Sequence, residues 1–257
     1  MPFTPSHAVV ALPFARTRLV PAAVAIGAMT PDLPLFFRGM LPDYTMTHDL
    51  ALLVPTTILA LVLFLVWRCI LRPATRELSP RVVADRLPAT WDAGFRAGLR
   101  ESFGGGAVGL AWLAAALALG VVSHIVWDLF THEGRLGVQL FPVLDQQWGP
   151  FLGVKWLQYG SGAVGLIVLA AWGLVWLSRR SRVPVQRSVP GAVRVAWWVS
   201  LPVGLVVVGA VAMLVTISAG EALSPTALIY AVLTRVAAVW ALATLVLALI
   251  IQARRRS

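Results

Sequence analysis

Gly106-Ala-Val-Gly-Leu-Ala-Trp-Leu-Ala-Ala-Ala-Leu-Ala-Leu-Gly-Val-Val-Ser-His-Ile-Val-Trp-Asp-Leu-Phe-Thr-His-Glu-Gly134 is the stretch on which the fold turns. Its apolar part, residues 107–130, exceeds the about 20 residues that carry a helix across a hydrocarbon core, yet its far end holds His124, Asp128 and His132. Four other stretches qualify as spans: residues 50–70, 161–177, 195–217 and 227–251. Lipid offers the backbone no hydrogen-bond partners, so these segments must be helices. Pro55 and Pro202 lie inside two of them, where kinks are predicted. Composition agrees. Hydrophobic residues make up 59% of the 257 and charged ones 12%, against about 25% charged in a soluble domain; the mean hydropathy is +0.82. The expected fold is all-α, an integral membrane bundle of about five transmembrane helices in a single domain over residues 1–257. Residues 1–145 carry the motifs; residues 146–257 add three further spans and a basic C-terminus.

The net charge of +10 would suggest nucleic acid in a soluble protein, but here the excess sits in short segments between spans, the pattern of membrane orientation. One group comprises Arg72, Arg76, Arg81, Arg86, Arg96 and Arg100; a second Arg179, Arg180, Arg182, Arg187 and Arg194; a third Arg254, Arg255 and Arg256. All three groups are expected in the cytoplasm, with the C-terminus, and the cation-poor segments outside. Arg16, Arg18 and Arg38 run against this scheme. The N-terminus lacks a basic region followed by an apolar core, so no cleaved signal peptide is expected. Two short apolar pieces, residues 8–15 and 19–29, predict either a re-entrant hairpin, the preferred reading, or interfacial amphipathic helices. Both bring His7 toward Asp32. Cys69 is the sole cysteine, which excludes intramolecular disulfides and cysteine-rich metal sites; it is expected at the cytoplasmic end of span one.

The chain has four histidines, His7, His48, His124 and His132. His124, Asp128 and His132 recur every four residues, so they share one helix face, and an i, i+4 His/Asp pair can clasp a divalent cation. Eight residues of straight helix cover about 12 Å. The helix must therefore loosen near Thr131 and Gly134, or His132 must serve a second ion or support the other ligands. The orientation scheme puts this stripe at the outer end of span two and His48 at the outer start of span one. With the hairpin, all four histidines, Asp32 and Asp128 converge on one extracytoplasmic pocket.

Four motifs carry a resemblance: Met1-Pro-Phe-Thr-Pro-Ser-His7, Gly27-Ala-Met-Thr-Pro-Asp32, Thr47-His48, and Ser123-His124 through Asp128 to His132, followed by Leu140-Phe-Pro. In their order and chemistry they resemble a family of bacterial multi-pass membrane proteins of unknown function, similar in turn to the membrane-bound metal-dependent hydrolases. The resemblance covers roughly residues 1–145. It implies His7, Asp32, His48, His124 and Asp128 as metal or active-site groups, with His132 a local addition and with Asp32 and Asp128 the catalytic carboxylates. The hydrolases often place an acid two residues after the Pro-Asp carboxylate and Ser after Thr-His; here those positions hold Pro34 and Asp49. Asp49 is the candidate to supply the missing carboxylate.

Three other features stand outside these motifs. Arg235, deep in span five, is a candidate anion site, with pairing to Glu221, packing or snorkelling as the alternatives. Ser102-Phe-Gly-Gly-Gly lacks the Gly-Lys-Ser/Thr ending of a phosphate loop. Trp148, Trp156 and Tyr159 suit an aromatic belt at the outer interface. The expected function is metal-dependent hydrolysis at the outer leaflet of a bacterial plasma membrane. The expected cofactor is a divalent metal, zinc foremost, with manganese and iron as alternates. Membrane lipid is the expected partner, a lipid or lipid-linked phosphoester the expected substrate class, and nucleic acid is not expected. A metal or proton transporter and a metal-stapled scaffold are the competing readings.

Overall fold

In the computed structural model, residues 4–37, 39, 42–220, 222 and 224–255 are described. Arg38, Glu221 and Arg256 lie outside them. In chain order the helices are α1 (Pro21–Met29), α2 (Tyr44–Thr47), α3 (Leu53–Val66), α4 (Arg72–Leu78), α5 (Arg81–Ala84), α6 (Gly94–Phe103), α7 (Gly106–Thr131), α8 (Leu136–Leu140), α9 (Gly153–Ser178), α10 (Gly191–Ser218) and α11 (Pro225–Arg254). A 3-10 helix, Thr4–Phe14, precedes them, and a two-stranded antiparallel ribbon, β1 (Gln147–Trp148) and β2 (Phe151–Leu152), leads into α9. Among the described residues, five helices are long and apolar enough to cross a membrane: Leu50–Leu78, Gly106–Thr131, Gly153–Ser178, Gly191–Ser218 and Pro225–Arg254. The protein is a helical membrane bundle.

Span one is longer than its apolar core. It runs on from α3 through a π-helical turn, Trp67–Leu71, into α4, so Arg72 and Arg76 are helical and buried rather than part of a loop. Cys69 is buried in the π turn and offers no accessible thiol for labelling the folded protein. Pro55 falls in the first turn of α3, where an N–H has no intrahelical acceptor in any case, so no kink is required there. Pro202 is inside α10.

The chain divides into two compact units: Met1–Pro34, Pro42–Val66 and Leu99–Arg180 form one, and Leu35–Leu41, Trp67–Gly98 and Ser181–Ser257 the other. In the first, the 3-10 helix and α1 pack against each other as a hairpin, turning through Ala15 to Leu19. The 3-10 arm lies on α9, and α1 lies along α7, with α3 against both α1 and α7. The core contains Ala23, Val24, Ala60, Phe64, Leu117 and Val121. Gly27 and Gly120 let α1 and α7 touch backbone to backbone. A Cβ on Gly120 would lie 2.2 Å from the Val24 carbonyl oxygen, and one on Gly27 2.3 Å from that of Leu117. Small residues at a helix crossing are the usual route to such approach in membranes.

In the second unit α10 and α11 pair through stacked Trp197 and Trp240, ring centroids 4.7 Å apart. Its polar centre is Glu77, fully buried. The carboxylate accepts the Val189 N–H at 3.0 Å, the Ser188 N–H at 3.2 Å and Arg255 Nη2 at 3.1 Å. Asp92 pairs with Arg76 and Arg255. Several arginines that mark orientation in the sequence thus also hold this unit together.

Candidate metal centre

The site forms in the first unit where four short pieces of backbone meet. α1 ends at Met29, and the 3-10 turn Thr30–Leu35 that follows presents Asp32, 3% exposed. Capping makes the next piece. Asp43 Oδ1 accepts the Thr45 N–H at 2.6 Å and starts the single turn α2; Asp49 Oδ1 accepts the Ala51 N–H at 2.8 Å and starts the turn after it. His48 is held between these two capped turns. Thr47 ties the piece down, its hydroxyl donating to the Pro31 carbonyl at 2.8 Å, so the Thr-His and Pro-Asp motifs are physically joined. α7 supplies His124 and Asp128, and the Thr4–Phe14 helix supplies His7.

The ring nitrogens show what the cluster is prepared to do. His48 Nδ1 lies 2.8 Å from the Tyr44 carbonyl oxygen, and His124 Nδ1 lies 2.7 Å from that of Ala28. A carbonyl only accepts, so each Nδ1 carries the proton and each Nε2 presents a bare lone pair in the neutral ring. Those two Nε2 atoms face each other at 3.2 Å. Around them stand Asp128 Oδ2, 3.4 Å from each, and Asp32 Oδ1, 3.7 Å from His124 Nε2 and 3.9 Å from His48 Nε2. Four ligands on bonds of about 2.0–2.2 Å at tetrahedral angles stand roughly 3.3–3.6 Å apart. The three separations among His48, His124 and Asp128 lie close to the edges of such a tetrahedron, with Asp32 somewhat farther from the two rings. Orientation of the distal ring nitrogen by a carbonyl is also how metal-ligating imidazoles are commonly held.

Among the described residues, two groups of buried side chains have ligand atoms close enough to hold a metal ion: His48, His124 and Asp128, and His7, Asp32 and His124. His7 stacks on His124 with ring centroids 4.0 Å apart. Its Nε2 is buried without a hydrogen-bond partner, 4.0 Å from Asp128 Oδ1. Burial first, and the adjacent His124 ring second, push His7 from 6.5 down to about 3, so its ring is neutral at physiological pH.

His132 stands outside both groups. α7 stops at Thr131, and His132 turns away in extended conformation. Gln158 Nε2 donates to its Nε2 at 3.1 Å, leaving Nδ1 to face Asp128 Oδ2 at 3.4 Å. Burial lowers its pKa as well. The helix therefore ends before the third member of the stripe, and His132 steadies Asp128. Asp49 is exposed and serves as a cap, so it does not supply the second carboxylate. Arg235 is exposed on α11 of the other unit and is not one of the gathered residues.

Several participants carry no signal in the sequence. Tyr44 donates its hydroxyl to Asp128 Oδ2 at 3.4 Å and packs on His48, ring centroids 3.8 Å apart. Burial, and after it the charges of Asp128 and Asp32, push the phenol upward, so it remains a donor. Thr4 donates to Asp32 Oδ2 at 2.7 Å, which closes the hairpin's outer ends. Gln158 was invisible because a glutamine in an apolar helix has many possible roles. The Thr4 and Tyr44 contacts bridge 28 and 84 residues respectively, beyond any local pattern.

Comparison with protein families now places the fold and cluster together: residues 1–253 match a domain of unknown function, DUF4184. The chain belongs to the DUF4184 family. The match extends well beyond residue 145, so the DUF4184 domain takes in the last three spans as well as the motifs. No curated protein and no solved structure matches the chain.

Proposed function

We propose that this protein is a metal-dependent hydrolase of the bacterial plasma membrane, with its cluster at the extracytoplasmic face and its C-terminus in the cytoplasm. The observation that carries the reading is the pair of bare Nε2 atoms, 3.2 Å apart and flanked by two buried carboxylates at 3.4–3.9 Å. When both rings are neutral, lone pairs in that arrangement repel one another, and a shared cation removes the repulsion. His48, His124 and Asp128 are the proposed ligands, with Asp32 as fourth ligand or general base. Zinc suits this nitrogen and oxygen set best, with manganese and iron as alternates. A bound ion of this kind supplies a water whose pKa falls to about 7 and a Lewis acid for an ester or phosphoryl oxygen. His7 offers a nearby neutral base, and Tyr44 a hydroxyl donor for developing negative charge.

Positions 34 and 49 add no carboxylate to the cluster, which supports one ion rather than two. Asp32→Asn tests catalysis against a metal-stapled scaffold. The expected result is a folded protein that keeps its metal and loses turnover on a panel of carboxylic and phosphoric esters. A metal-loaded wild type that turns over none of that panel would favour the scaffold.

A further inference from the structure

The first unit contains a cavity of about 370 Å³ between the Thr4–Phe14 helix, α7 and α9, lined in part by His7, Val10, Ser123, Trp127, Val164 and Val168. Its lining is mixed: Val9, Val10, Val164 and Val168 supply the valine part, and Ser6, His7, Ser123 and Ser161 the polar groups, with Trp127 Nε1 donating to Ser161 Oγ at 3.2 Å. Val164 is 60% and Val168 40% exposed, so the valine part opens on the face of a membrane span. His7 belongs to this wall and to the group it forms with Asp32 and His124. The cavity therefore leads from the span surface to a residue of the metal cluster.

We infer that this cleft receives one acyl chain of a membrane lipid and presents the lipid's ester-bearing end to the cluster. The inference rests on the hydrolase reading and narrows its substrate to a lipid that arrives sideways from the bilayer. Depth and size select the occupant. Val164 and Val168 lie 5 to 12 residues beyond the exposed belt aromatics Trp156 and Tyr159 on α9, about 8–18 Å along the helix and within hydrocarbon. A helix about 10 Å across, rising about 5.4 Å per turn, fills roughly 400 Å³ per turn, so the cavity admits less than one turn of a partner helix. It falls within the roughly 300–1,000 Å³ of small-ligand sites, and a flexible chain fits it. Glycine makes the close wall: a Cβ on Gly165 would stand 3.0 Å from the Ser6 carbonyl oxygen.

The test reconstitutes the full chain in phosphatidylethanolamine and phosphatidylglycerol vesicles containing a phospholipid with a diazirine on one acyl chain. Photolysis and peptide mass spectrometry should find adducts on Val9, Val10, Val164 and Val168 several-fold above those on the exposed Val206 and Val211 of α10. Val164→Trp and Val168→Phe, both at exposed positions, should remove that excess while leaving metal content unchanged. Cleft adducts no more frequent than those on α10 would overturn the inference. Metal measured on the same samples separates the two readings: labelled cleft without metal defeats the hydrolase and the headgroup presentation, and metal without cleft labelling defeats the lipid cleft alone.

Discussion

The His/Asp cluster of the first unit and the Glu77 knot of the second are both buried and ionisable, but their atoms are differently satisfied. Glu77 accepts two backbone N–H groups and an arginine and has a second arginine, Arg194, 3.8 Å away. Its charge is matched by donors within the chain. In the cluster, two imidazole nitrogens face each other and that of His7 lacks a hydrogen-bond partner. Buried polar groups are overwhelmingly paired in folded proteins, and perturbed, incompletely paired groups concentrate at functional sites. Burial alone therefore separates neither region from the other. Satisfaction does: the Glu77 carboxylate is matched within the chain, and His7 Nε2 is not.

The contrast can be broken at several strengths. Gly120→Val should have the largest effect, because its side chain must enter the Val24 backbone and drive α1 from α7, carrying the Ala28 carbonyl away from His124. Loss of the monodisperse folded peak on size exclusion is expected. Next, Glu77→Ala should destabilise by about 3–5 kcal/mol, the usual result of leaving buried partner charges unpaired, yet the protein that does fold should keep its full metal content. Chelation should do the reverse. An ion at 1,000 times its Kd contributes about 4 kcal/mol, so chelator should lower the Tm of wild type and of Glu77→Ala but not of a variant lacking His124 and Asp128.

The pH response is smaller and has a definite sign. Between pH 6.5 and about 3, His7 binds a proton in the unfolded chain and not in the folded one. Stability should consequently fall with pH through that window, by up to about 1.4 kcal/mol per unit for one group, and His7→Gln should flatten the slope in thermal melts. Asp49→Ala should cost least, about 0.5–2 kcal/mol for a lost cap, and leave metal content unchanged. A metal-free Asp49→Ala protein would return that carboxylate to the site.

The spans were legible because lipid imposes one rule on every backbone amide, and residues 107–130 satisfy it without tertiary help. The extension of span one through Arg72 and Arg76 was not, since the partners that make Arg76 tolerable in a buried helix, the Asp92 carboxylate and the Ala84 and Val183 carbonyls, are brought to it by the fold. The convergence of His7, Asp32, His48, His124 and Asp128 was readable from spacing and topology. Which of the alternatives open to His132 holds was not readable, because the Gln158 amide that sets its ring beside Asp128 comes from 26 residues away. Asp49 looked like a ligand because a cap and a ligand are the same side chain until its neighbour's N–H is located.

The most direct measurement is elemental analysis of detergent-solubilised protein beside a His124→Ala/Asp128→Ala double variant shown to be folded. Near-stoichiometric zinc, manganese or iron in the wild type and its absence from the variant is the predicted result. Two metal-free proteins, even after reconstitution with each ion, would contradict the metal centre.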